Sequence, residues 1–216
     1  MKRILFTLTG CLLFASTYLL TQCAEKGDVK DVQQASFDPS ELTDDGQIKK
    51  VDLQKQIELG EHLVTIAGCH DCHSPKKMTD KGMEIDYSKA LSGHPSTMPP
   101  PDVNRADMEK KGLVVTQTLT AWVGPWGISY AANLTPDKTG IGSWQESNFI
   151  TAIRQGKSKG VANGRPLLPP MPWDMYRHMT DEELKAVFAY LKSIKPVQNV
   201  VPAPVPPVAA QAPAKK

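Results

Sequence analysis

Three stretches of the sequence predict a helical domain between residues 51 and 196. Leu53, Ile57, Glu61 and Val64 recur at three- and four-residue steps, and Leu63 and Ile66 widen that apolar face. Ser143-Trp144-Gln145-Glu146 places Ser at a cap position with Glu three residues on. That pairing satisfies two orphan N–H groups at a helix start, and it predicts a helix carrying Phe149, Ile150 and Ile153. Thr180 to Glu183 repeats the pattern ahead of Leu184, Val187, Phe188 and Leu191, and the helix stops at Lys195-Pro196.

Taken in order, the chain opens on Lys2 and Arg3 and an apolar run, Ile4 to Leu20, which predicts a targeting segment over residues 1–22. It closes on Leu20-Thr21-Gln22-Cys23, which resembles a bacterial lipoprotein signal with Cys23 as the lipidated residue. An uncleaved anchor and a secreted soluble chain are the alternatives. All three place the domain in the periplasm or cell envelope.

Residues 23–50 read as an acidic tether. From Ala24 to Ile48 seven acids face Lys26 and Lys30, a net −5 with no apolar periodicity, and such a segment repels itself and extends. The whole chain carries only +2, which offers no case for nucleic acid as a partner. Within the first helical run, Gly60 costs about 1 kcal/mol relative to Ala and predicts close approach by another helix.

That run leads into Cys69-His70-Asp71-Cys72-His73. On a helical turn, thiols three apart share a face, and His73, four from Cys69, joins them. Two thiols can add across the two vinyl groups of a haem while the imidazole reaches iron from the same side, the pattern of c-type haem attachment. A zinc site would want a second Cys/His pair at similar spacing, and a thiol redox pair would want a βαβ context. With Cys11 lost with the signal, Cys23 lipidated and Cys69 and Cys72 on haem, no disulfide remains among the four cysteines.

Residues 74–130 are hard to read. Ser74-Pro75 ends the attachment helix, Gly93-His94-Pro95 and Met98-Pro99-Pro100-Pro101 are loops, and Leu113 to Leu119 reads as a short strand. The eighteen prolines cluster near 95–101, 166–172 and 196–213, and residues 197–216 read as a disordered Pro/Ala-rich tail. By donor chemistry a second iron ligand can come from Met98, Met171, Met175, Met179, His94 or His178.

Several further motifs occur in a fixed order. They are Asn133-Leu134-Thr135-Pro136-Asp137, Thr139-Gly140-Ile141-Gly142 with Trp144, Pro170-Met171-Pro172-Trp173, Met179 to Leu184, and Ala189-Tyr190-Leu191. Together with C-x-x-C-H they make residues 51–196 resemble a class I cytochrome c. The likeness is strongest to the haem modules in cytochrome subunits of membrane-bound alcohol and gluconate dehydrogenases.

The resemblance implies an all-α cytochrome c fold with long loops, its first and last helices crossing near Gly60 and Tyr190. It implies one covalent haem c held by Cys69, Cys72 and His73, with Met171 as the second iron ligand. Met98 is the runner-up, and Met175 and Met179 read as core filler. Those subunits carry several C-x-x-C-H motifs where this chain has one, so it reads as a single module. Trp144 and Trp126 are candidates for the porphyrin rim and Arg165 for a propionate, with ordinary core and a solvated charge as the respective alternatives. The expected function is an exported monohaem electron carrier, not an enzyme, whose partners are redox proteins, a dehydrogenase or an oxidase. A haem sensor, a peroxide- or gas-reactive protein, and a docking subunit are the alternatives.

Overall fold

The computed structural model describes residues 45–211; Cys11, Cys23, the apolar run and most of the acidic stretch lie outside the described residues. In chain order come α1 (Asp45–Ile66), α2 (Cys69–His73), β1 (Lys76–Thr79), β2 (Gly82–Ile85), α3 (Arg105–Lys111) and β3 (Val115–Thr116). There follow β4 (Ala121–Gly124), β5 (Gly127–Tyr130), α4 (Glu146–Gln155), α5 (Trp173–Tyr176), α6 (Asp181–Ser193) and α7 (Val208–Gln211).

Helices α1 and α6 cross at Gly60. A Cβ added there would strike the carbonyl of Ala186 and come within 2.8 Å of the Tyr190 Cβ. The helical cost of that glycine is therefore offset by an approach no other residue permits. From this crossing grows the core: Leu63 and Val64 of α1, Phe149 and Ile153 of α4, Leu184, Ala186, Val187 and Leu191 of α6, and the loop residues Leu91 and Ile141. Only the second half of α1 faces that core. Leu53 is 50% exposed and Ile66 is 65% exposed, so the apolar face is narrower than the periodicity predicts.

The Thr180 cap forms as expected: Glu183 N–H donates to Thr180 Oγ1 at 3.1 Å, and Thr180 N–H donates to the Glu183 carboxylate at 2.7 Å. The other box does not. Helix α4 starts at Glu146, and the Asn148 side chain accepts from the N–H of Gln145 at 2.9 Å. An Asn was available to do what Glu146 was expected to do.

The all-α expectation is wrong. Among the described residues there are two small antiparallel sheets, the hairpin β1–β2 and the three-stranded β3–β4–β5, so the fold is mixed. Strand β4 is buried at every position, so it shows no alternation of apolar and polar residues. A period-of-two search has nothing to find there.

The described part of the tail, residues 197–211, is also misread as disordered. Val205 pairs with Ile128 through backbone bonds of 2.8 and 3.0 Å, and the Asn199 side-chain amide donates to the carbonyls of Ser92 and His94 at 2.7 and 2.8 Å. Gly127 admits it, since a Cβ there would meet the Val205 carbonyl. Proline, with its fixed φ and missing N–H, suits a strap paired at isolated points as well as it suits disorder.

Candidate haem-binding site

Gly68, at φ 66°, turns the chain out of α1, and α2 runs from Cys69 to His73 with Ser74 as its C-cap. The Lys76 ammonium donates to the carbonyls of Asp71 and Ser74, both at 2.7 Å, closing the open end of this one-turn helix. Both thiols are free. Burial pushes the Cys69 thiol up to about 11 and raises that of Cys72 as well. A redox-active pair has its thiolate stabilised, and this environment does the reverse. Among the described residues no group of three His, Cys, Asp or Glu side chains stands together as a metal site.

The imidazole of His73 is fixed by one bond. Its Nδ1–H donates to the Ala132 carbonyl at 2.8 Å, and since a carbonyl only accepts, Nε2 is left with its lone pair. Desolvation lowers the ring's pKa below the usual histidine value, which favours the neutral form a metal requires. The residues around it are themselves stitched together: Gly93 N–H to His73 O at 2.7 Å, His94 N–H to Ala131 O at 2.9 Å, and Leu134 N–H to Leu91 O at 2.8 Å. Leu91 is fully buried yet sits at φ 59°, a strained backbone held by its surroundings.

The six candidates for a second ligand lie in different surroundings. His94 is fully buried, with Nδ1 on Thr120 Oγ1 and Nε2 on Met98 O, both at 2.9 Å, so neither nitrogen is free. His178 is exposed. Met98 is half-buried, its sulfur 3.7 Å from the Thr118 hydroxyl. Met175 is 68% exposed and fills no core, which corrects the packing role expected of it. Met179 and Met171 both lie against the main core cluster, and Cys69 lies against the same cluster.

Two further bonds bind the Met171 segment in place. The Tyr176 hydroxyl donates to the Ala67 carbonyl at 2.5 Å, joining α5 to the turn before Cys69. On the far side, Trp126 Nε1–H donates to Ser129 Oγ at 3.0 Å, and Ser129 Oγ–H donates to the Pro169 carbonyl at 2.6 Å. Trp126 thus works through Ser129, Trp144 lies against the core, and exposed Arg165 donates to the carbonyl of Pro166. Ala132, Ser129 and Tyr176 have no signal in the sequence. The first acts through a carbonyl every residue possesses, and the others carry no motif.

A family model described as Cytochrome c matches residues 57–195, most of the described domain. The chain belongs to the cytochrome c family. It is 42% identical over 80 residues to the fructose dehydrogenase cytochrome subunit of Gluconobacter japonicus, covering 36% of this chain and 16% of that protein. Over 150 residues it is 32% identical to the alcohol dehydrogenase (quinone) cytochrome c subunit of Gluconobacter oxydans, covering 68% of this chain and 23% of the relative. It also matches the gluconate 2-dehydrogenase cytochrome c subunit of Pantoea cypripedii, 43% identical over 75 residues, 34% of this chain and 16% of that one. The chain thus spans under a quarter of each of these relatives, from 16% to 23%.

Family membership brings a covalently bound haem c and electron transfer as its use. The residues fit that group: two neutral, free thiols on one short helix, and an imidazole with its outer nitrogen unengaged. No helix among the described residues is long and apolar enough to cross a membrane.

Proposed function

We propose that this cytochrome c is a monohaem carrier of single electrons, its iron held by His73 and Met171, and that it makes or breaks no substrate bond. The observation that supports the ligand pair is the shared core. Cys69 and Met171 lie against one apolar cluster, and the Tyr176–Ala67 bond ties their segments together. Bound there, haem c supplies a one-electron couple between ferric and ferrous iron.

The chain's own residues set the terms. His73 offers an oriented lone pair. Met171 offers a soft, neutral thioether, which favours the ferrous state and raises the potential. The cluster of Leu63, Val64, Ile141 and Leu184 keeps the surroundings dry, so little solvent need reorganise when charge changes. Pro169, Pro170 and Pro172 each fix a backbone dihedral, so the loop has little left to order when it presents its sulfur.

Electron exchange with a dehydrogenase is the partner reading, supported by the names of the relatives. Export, with Cys23 lipidated, is supported by the apolar amino-terminal run and by the envelope setting that c-type haem attachment implies. A mature chain starting at Cys23 that leaves detergent on Cys23→Ser is the expected result; an intact Met1 by mass spectrometry would remove the lipidation reading.

The ligand pair is tested by spectroscopy. The wild type is expected to be low-spin in both states, to show the weak long-wavelength sulfur-to-iron band when ferric, and to resist carbon monoxide. Met171→Ala should lose the band, bind carbon monoxide and fall in potential, while Met98→Ala and Met175→Ala do neither. A high-spin wild type that takes up gas freely would instead favour a sensor or a peroxide-reactive protein.

A further inference from the structure

The chain leaves β5 to reach Ala132, whose carbonyl holds His73, and one of the sheet's own side chains reaches the Met171 loop. Ser129 is 6% exposed, and its hydroxyl both accepts from Trp126 Nε1 and donates to the Pro169 carbonyl, two residues before Met171. Pro169, Pro170 and Pro172 have no N–H, so the loop cannot join a backbone ladder through them. A side-chain donor aimed at one of its carbonyls is the substitute that remains.

The donor is itself fixed from three directions. The ring of Trp126 lies over Gly124, where a Cβ would come within 2.7 Å of it, and this sets where the indole N–H points. Across the sheet Ser129 pairs with Trp122. Next to it, Ile128 exchanges two backbone bonds with Val205 of the strap.

We propose that Ser129 is a positioning residue for Met171, holding the ligand loop by the Pro169 carbonyl from a sheet edge that the strap completes. This rests on the reading of Met171 as the iron ligand. Losing the hydroxyl takes the side-chain donor from the Pro169 carbonyl, in a part-buried bond, and leaves the loop freer to swing its sulfur away. The consequence is kinetic: an outside ligand reaches iron only when the loop opens.

The test uses full-length ferric holoprotein and the rate at which imidazole replaces the native ligand, followed through the sulfur-to-iron band. Ser129→Ala should keep the band and bind imidazole up to roughly tenfold faster, the size expected for one hydrogen bond. Ser129→Thr, which keeps the hydroxyl, should stay near the wild-type rate. Val123→Ala opens a cavity in the same sheet away from the loop; it should lower the melting temperature and leave the rate alone. A chain ended after Asn199, which loses the Val205 pairing, should be faster than wild type in the same sense.

Should Ser129→Ala give no holoprotein, Trp126→Phe removes the indole donor and reads the same tie, with a faster rate expected. A wild-type imidazole rate in Ser129→Ala, or in Trp126→Phe where that must stand in, overturns the proposal while Met171 keeps its band. An unchanged rate in the shortened chain overturns the part given to the strap. A wild type with no sulfur-to-iron band overturns the Met171 reading, and this proposal with it.

Discussion

The two sides of the haem site are built in opposite ways. On the attachment side Cys69, Cys72 and His73 occupy five consecutive residues, and one turn of helix brings them together. On the proposed second-ligand side Met171 stands alone, and its loop is held by Ser129 from a sheet and by Tyr176 reaching back to Ala67. A site built from adjacent residues is written as a motif. A site assembled from distant ones is set by whatever fixes their separation.

Here that separation is set by the α1–α6 crossing, because α1 leads into Cys69 and α6 follows the Met171 segment. Gly60 is therefore part of the site although it touches no ligand. The same contrast governs how each side fails. Losing a local motif residue removes the attachment chemistry outright, whereas losing a distant tie loosens a geometry that other contacts still support.

The largest expected effect breaks the attachment side. Cys69→Ala combined with Cys72→Ala should leave any haem extractable by acid acetone, where the wild type keeps its haem through denaturing gels. Retention by the double variant would mean the thiols are not the attachment points.

Next comes the crossing. Helix propensity alone says Gly60→Ala should stabilise the protein by about 1 kcal/mol. The added Cβ meets the backbone of Ala186, which cannot move aside, so we expect a loss of about 3 kcal/mol in a denaturant melt of the holoprotein. A gain in stability would show that α1 and α6 are not in such close contact.

Smaller still is Tyr176→Phe. It leaves the Ala67 carbonyl without its hydroxyl partner and should cost about 1 kcal/mol while speeding carbon monoxide binding to ferrous iron. If stability falls and gas binding does not change, Tyr176 supports the fold without holding the two sides together.

The smallest effect expected is at Lys76. Lys76→Met removes two bonds to the carbonyls at the end of α2, on a partly exposed side chain, and should lower the melting temperature by only a degree or two, for a loss of about 0.5 kcal/mol. A large drop in holoprotein yield would mean the attachment helix needs that cap to form.

The sequence by itself determined whatever is local. C-x-x-C-H, the Thr180–Glu183 cap, the buried face of α6 and the glycine at the helix crossing are each a few residues whose chemistry is complete at short spacing. Periodicity and capping are local rules, and they read the Thr180 cap and the α6 face correctly. The Ser143 box shows their resolution: Asn148 competed for the same job and moved the start of α4 to Glu146.

Tertiary structure decided the rest. Strand β4 is buried on both faces, so its pattern carries no period, and an all-α expectation passed over it. The Pro-rich tail has the composition of a disordered segment, and only Ile128, Asn199 and the space above Gly127 make it a strap. The acceptor that orients His73 is a carbonyl at Ala132, a group present in every residue and so invisible in any one of them. Which carbonyl meets which side chain depends on where the fold places both, and a single position of the sequence does not record that.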